Sequence, residues 1–101
     1  MQKDKSLYIL SKEADADIDA IFDYTVKEFG FNQAVKYVLE FETIFNQLAK
    51  HPNLGKLRIE IKKGVWSLPA GEHIVFYAKH NNYIRIVRVL HGRCDLPKQF
   101  K

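Results

Sequence analysis

The sequence predicts an α+β fold, with a helical hairpin packed on one face of a curved antiparallel sheet and a short strand at its N-terminal edge. Three observations lead there. Apolar residues recur at helical spacing from Ser11 to about Lys50, and the period switches to two after Gly64. The turns between the period-two runs are short enough to make those strands antiparallel neighbours, and one amphipathic helical layer on one apolar sheet face is the economical way to bury both.

Each element has its own justification. "SLYIL" is a short apolar run suited to an edge strand. From Ser11 onward, Ala14, Ile18, Ile21, Phe22, Thr25 and Phe29 fall on one helical face, and Asp15, Asp17 and Asp19 crowd the first turns, where the helix dipole favours negative charge. Ser11 suits an N-cap and Gly30 a C-terminal stop, so the first helix is predicted over residues 12–29. Phe31, Ala34, Tyr37, Val38, Phe41, Ile44, Phe45 and Leu48 then form the stripe of a second helix that ends before Pro52. The join at Gly30 is short enough to make the pair a hairpin. Trp66, Leu68 and Ala70, then Ile74, Phe76 and Ala78, then Ile84, Ile86 and Leu90 mark three strands separated by Gly71-Glu72 and by His80-Asn81-Asn82.

The 101 residues suffice for a single domain, 1–101, and 47% hydrophobic content with 28% charged residues is the profile of a chain with a packed core. No apolar run approaches the roughly 18 residues of a membrane span, no secretion signal is recognisable, and one cysteine, Cys94, makes no internal disulfide. A cytoplasmic protein without metal or cofactor is the expectation. The net charge of +4 conceals an asymmetry: residues 1–55 sum to −3 and residues 56–101 to +7. A basic second half suits an acidic partner, either nucleic acid or polypeptide.

Strand alternation sets which side chains are available for chemistry. With Ile84, Ile86 and Leu90 turned to the helices, Arg85, Val87, Val89 and His91 share the opposite face, as does His73 on the preceding strand. Arg88 then falls among apolar neighbours, where its guanidinium requires a carboxylate from the helical layer or a place at a twisted rim. His51 and His80 lie in a loop and a turn as solvated residues. His73 and His91 with Arg85 form an acid–base set able in principle to cleave a phosphodiester without metal, although a hydrogen-bonded histidine closing a strand end is the simpler account. "KLRIEIKKG" places Lys56, Arg58, Lys62 and Lys63 around Glu60, either as phosphate contacts or as a solvated face.

The order of these features, an edge strand, an acidic helical hairpin, "LAKHPNLGK", a basic segment and strands ending "YIRIVRVLHGRCD", resembles the ParE branch of the ParE/RelE superfamily of bacterial toxins over nearly the whole chain. The resemblance implies two helices against a sheet. It also implies a type II toxin–antitoxin toxin neutralised by a cognate antitoxin whose C-terminal segment wraps around it, with Tyr24, Val35 and Leu39 as candidate antitoxin contacts. ParE-like members block DNA gyrase and have no catalytic site of their own. The target-contacting residues would then be Arg85, Arg88, His91, Arg93 and Asp95.

RelE-like members of the same superfamily are ribosome-dependent messenger RNA endonucleases, often with a tyrosine or histidine near the C-terminus. Here the last residues offer Phe100, which neither donates nor accepts a proton, and this departure weighs against that chemistry. His91, His73, Arg85, Lys62 and Lys63 would carry it if it occurred. A third reading is an inactive toxin serving as a binding or co-repressor module; the basic second half suits direct DNA contact, but no recognition-helix motif is present to read bases.

Overall fold

The computed structural model describes residues 7–94 and residue 100. The elements run β1 (Leu7–Leu10), α1 (Lys12–Phe29), α2 (Phe31–Lys50), β2 (Lys56–Leu57), β3 (Trp66–Ala70), β4 (His73–Lys79) and β5 (Tyr83–His91). The five strands form one sheet in the order β1-β5-β4-β3-β2.

Both helices start and stop where local chemistry directs. The Ser11 hydroxyl accepts from the Ala14 N–H at 2.9 Å, capping α1, and donates to the Val87 carbonyl at 2.7 Å, tying the helix start to β5. Gly30 ends α1 at φ +95°, a conformation that a side chain would strain, and its carbonyl opens α2 by accepting from the Ala34 N–H. The hairpin therefore turns on a single residue.

The sheet departs from the sequence expectation in two ways. It is mixed: β2, β3, β4 and β5 are antiparallel, but β1 lies parallel to β5, Leu7 to Leu10 opposite Tyr83 to Ile86. β1 and β5 are not sequence neighbours, and the helical hairpin with the three intervening strands supplies the long crossover that parallel pairing needs. The second departure is a β-bulge in β5. Phe76 stands opposite Arg88 and Tyr77 opposite Ile86, leaving Val87 as the extra residue.

That bulge reverses the phase of the strand. Ile84, Ile86 and then Val89 face the helices, in one core with Phe41, Phe45 and Leu48 of α2, Ala14 and Ile21 of α1, and Val75 and Tyr77 of β4. Leu90, expected on that side, lies instead on the opposite face with Phe76 and Val65, in a smaller cluster that Ile61, Ile74, Cys94 and Phe100 cover in part. Val89 and His91, expected away from the helices, are correspondingly turned toward them.

Asp17 completes the edge of β5 beyond the end of β1. Its carboxylate accepts two hydrogen bonds from the Arg88 guanidinium at 2.8 Å each and one from the Val89 N–H at 2.9 Å. Arg88 is thus held by a carboxylate of the helical layer, one of the two placements its position required. The guanidinium pKa is raised by these hydrogen bonds, with burial opposing.

The "HPNLG" loop after α2 is fastened by a phenol. Tyr77, fully buried, donates to the Pro52 carbonyl at 2.8 Å and accepts from the Gly55 N–H at 2.9 Å. A Cβ on Gly55 would stand 2.5 Å from both the Ser67 carbonyl oxygen and the Tyr77 hydroxyl, so only glycine permits this approach.

Candidate functional site: the groove beside the helical hairpin

An open groove of about 690 Å³ runs between the hairpin and the ends of β4 and β5. Its long wall comes from α1, where Ile21, Tyr24 and Phe29 supply apolar surface, and Gln33 and Tyr37 of α2 continue it. Tyr24 and Phe29 are 61% and 69% exposed, a large apolar display for residues at the mouth of one groove. The opposite end is polar. Glu72 in the β3–β4 turn, His73 at the start of β4 and His91 at the end of β5 meet there.

These polar groups are ordered by specific contacts. His73 and His91 are directly opposed across the strands, with ring centroids 5.3 Å apart. The Tyr37 hydroxyl lies 2.7 Å from His73 Nδ1, and Phe41 packs edge-on against the same ring. Burial lowers the His73 pKa below its ordinary value and the adjacent His91 adds to this; Glu72 and Asp17 act in the other direction. Burial likewise raises the Tyr37 phenol. His91 Nδ1 accepts from the Arg93 N–H at 3.1 Å, and its Nε2 lies 3.6 Å from the Glu72 carboxylate.

The residues singled out in the sequence do not converge on one place. His73 and His91 share the groove, on the helix-facing side and opposite to expectation, His91 because of the bulge in β5 and His73 because Val75 and Tyr77, not Ile74 and Phe76, are the helix-facing set of β4. Arg85 projects from the other face, paired laterally with Ala78 and Ile9. Lys62 and Lys63 belong to the exposed segment whose Ile61 packs on the second cluster, again across the sheet from the histidines. Arg93 is exposed in the turn after β5, and Arg88 is engaged by Asp17. Asp95 lies outside the described residues.

Among the three candidate antitoxin contacts, Tyr24 lines the groove, whereas Val35 and Leu39 do not. Gln33 and Val35, like Tyr37 and Leu39, are two positions apart on α2, about 200° around the axis, so the two pairs look in opposite directions. Sequence reasoning passed over Tyr37 and Glu72. Tyr37 had been counted only as part of an apolar stripe, although a phenol there carries a polar tip that needs a partner.

No group of three or more His, Cys, Asp or Glu side chains among the described residues is arranged to hold a metal ion. Among the described residues no helix is long and apolar enough to cross a membrane.

Comparison with known proteins places the chain. Residues 8–96 match the model of the family described as ParE toxin of type II toxin-antitoxin system, parDE. Toxin ParE1 of Mycobacterium tuberculosis is 36% identical over 94 residues, covering 92% of this chain and 96% of that one. Toxin ParE1 of Caulobacter vibrioides is 34% identical over 84 residues, covering 83% and 86%. A solved chain of the chromosomal ParDE system from P. aeruginosa shares the fold at a TM-score of 0.75, with 24% identity over 88% of this chain and 98% of that one. With the hairpin, the mixed sheet and nearly the full length all accounted for, the chain belongs to the ParE toxin family of type II toxin–antitoxin systems.

Proposed function

We propose that this chain is a toxin that inhibits DNA gyrase in the cytoplasm and is silenced by a cognate antitoxin, part of which occupies the groove beside the hairpin. Family membership supports the reading, since the family is that of toxins of type II toxin–antitoxin systems, and the resemblance to the ParE branch implies gyrase rather than RNA as the target. The apolar wall formed by Ile21, Tyr24 and Phe29 is the antitoxin surface, because a monomer rarely leaves so much apolar area open without a partner for it. Arg85 and Arg93 are the target-contacting cations; both are exposed, and Arg88 is spent on Asp17.

The separation of groups supports inhibition over RNA cleavage. A metal-independent phosphodiesterase needs its acid, its base and its phosphate-holding cations around one scissile bond. Here His73 and His91 sit on the helix-facing side of the sheet, and Arg85, Lys62 and Lys63 on the other.

Purified gyrase acting on relaxed plasmid with ATP is the test, with linear DNA scored after detergent and protease. The expected result is loss of supercoiling with trapped breaks, reversed by antitoxin. Undisturbed supercoiling by folded toxin would overturn the reading and redirect attention to ribosome-dependent RNA cleavage.

A further inference from the structure

We propose that the polar end of the groove is a carboxylate subsite, in which an aspartate or glutamate side chain of the antitoxin accepts hydrogen bonds from the Nε2–H groups of His91 and His73. The inference rests on the antitoxin reading and adds the chemistry by which the groove chooses its occupant.

The argument begins with the tautomers. His91 Nδ1 accepts a backbone hydrogen bond from Arg93, so the neutral ring carries its proton on Nε2. His73 Nδ1 is occupied by the Tyr37 hydroxyl at 2.7 Å. The alternative acceptor of that hydroxyl, the Ala70 carbonyl, is farther at 3.5 Å, so the shorter contact favours donation to His73 and the same Nε2–H form of the second ring. Two imidazoles 5.3 Å apart therefore bring two N–H donors to the same end of the groove.

Donors call for an acceptor, and the approach of Glu72 to His91 shows that a carboxylate fits the place. Glu72 already leans toward His91 Nε2 at 3.6 Å, beyond good hydrogen-bond distance, and with a side chain 86% exposed it is readily displaced. An incoming carboxylate would take the place that Glu72 approaches.

Peptide rather than nucleic acid is the occupant. Among the described residues lining the groove none is Lys or Arg, and a nucleic-acid site draws most of its affinity from such cations. The rest of the groove is walled by Ile21, Tyr24 and Phe29, which match apolar side chains presented by the same segment.

The test is a double-mutant cycle on the complex with the full-length antitoxin encoded beside the toxin, each variant first checked for an unchanged thermal transition. His91→Leu should weaken binding about 10- to 100-fold, the usual scale for losing a hydrogen bond to a charged group. His91→Gln, which keeps an N–H donor, should recover most of that loss. Neutralising the acidic residues of the antitoxin one at a time should reveal one whose loss is not additive with His91→Leu. If His91→Leu binds like the wild type while Tyr24→Ala weakens the complex, the carboxylate subsite is wrong and the groove reading stands. If Tyr24→Ala is also silent, the antitoxin does not use the groove, and both fail.

Discussion

On its helix-covered face the sheet carries Val75, Tyr77, Ile84, Ile86 and Val89, sealed under α1 and α2 and giving way at one end to a groove of phenol and imidazole groups. On the other face, among the described residues, Phe76 and Leu90 lie under Ile61, Cys94 and Phe100, with Arg58 and Arg85 beside them. The same five strands thus support one face that is nearly all core, with a polar site at its margin, and one that is largely cationic surface over a small core. In the proposed function, separating the two surfaces would let an antitoxin and a target be recognised by different chemistry on a chain of 101 residues.

The faces should differ in stability as much as in charge. Phe41→Ala, which empties the middle of the helix-covered core, should cost about 4 kcal/mol in denaturant unfolding, as large core truncations do. Asp17→Ala comes next. It strands the Arg88 guanidinium and the Val89 N–H at the β5 edge, where both side chains are at most one-fifth exposed, and should cost about 3 kcal/mol. On the thinly covered face, Phe100→Ala removes an aromatic contact with Phe76 at 4.9 Å and should cost only about 1 kcal/mol. A larger loss there than at Phe41 would erase the distinction between the faces.

The smallest effect concerns pH. His73 has a pKa depressed by burial, so between that lowered value and the unfolded value of about 6.5 the unfolded chain binds more protons than the folded one. The stability associated with the neutral ring is therefore intact above about pH 6.5 and is lost as the pH falls through the folded pKa. His73→Gln should flatten this part of the stability profile, and an unchanged slope would remove His73 as its source.

How much of this was legible in the sequence depended on how local the signal was. α1 and α2 could be read almost to the residue because Ser11, Gly30 and the apolar stripes are neighbours in the chain. Alternation alone gave Arg88 either a carboxylate of the helical layer or a place at a twisted rim, and it could not name the partner, since Asp17 lies 71 residues earlier. The bulge at Val87 left no mark because it sits in "IVRVL", a run of strand formers without glycine or proline, and its absence from the sequence pattern put Val89, Leu90 and His91 on the wrong faces; His73 was misplaced because β4 is apolar on both sides and its core set is Val75 and Tyr77 rather than Ile74 and Phe76. The parallel pairing of β1 and the two-residue β2 were hidden for a similar reason: both are set by distant partners.

The most direct test is gyrase supercoiling titrated with antitoxin, run on the wild type, on Tyr24→Ala and on the Arg85→Ala/Arg93→Ala pair. Two separate surfaces predict that Tyr24→Ala still inhibits gyrase but needs more antitoxin for relief, and that the arginine pair loses inhibition while antitoxin binding is retained. Full inhibition by the arginine pair, or loss of both properties together in either variant with the fold intact, would contradict the account.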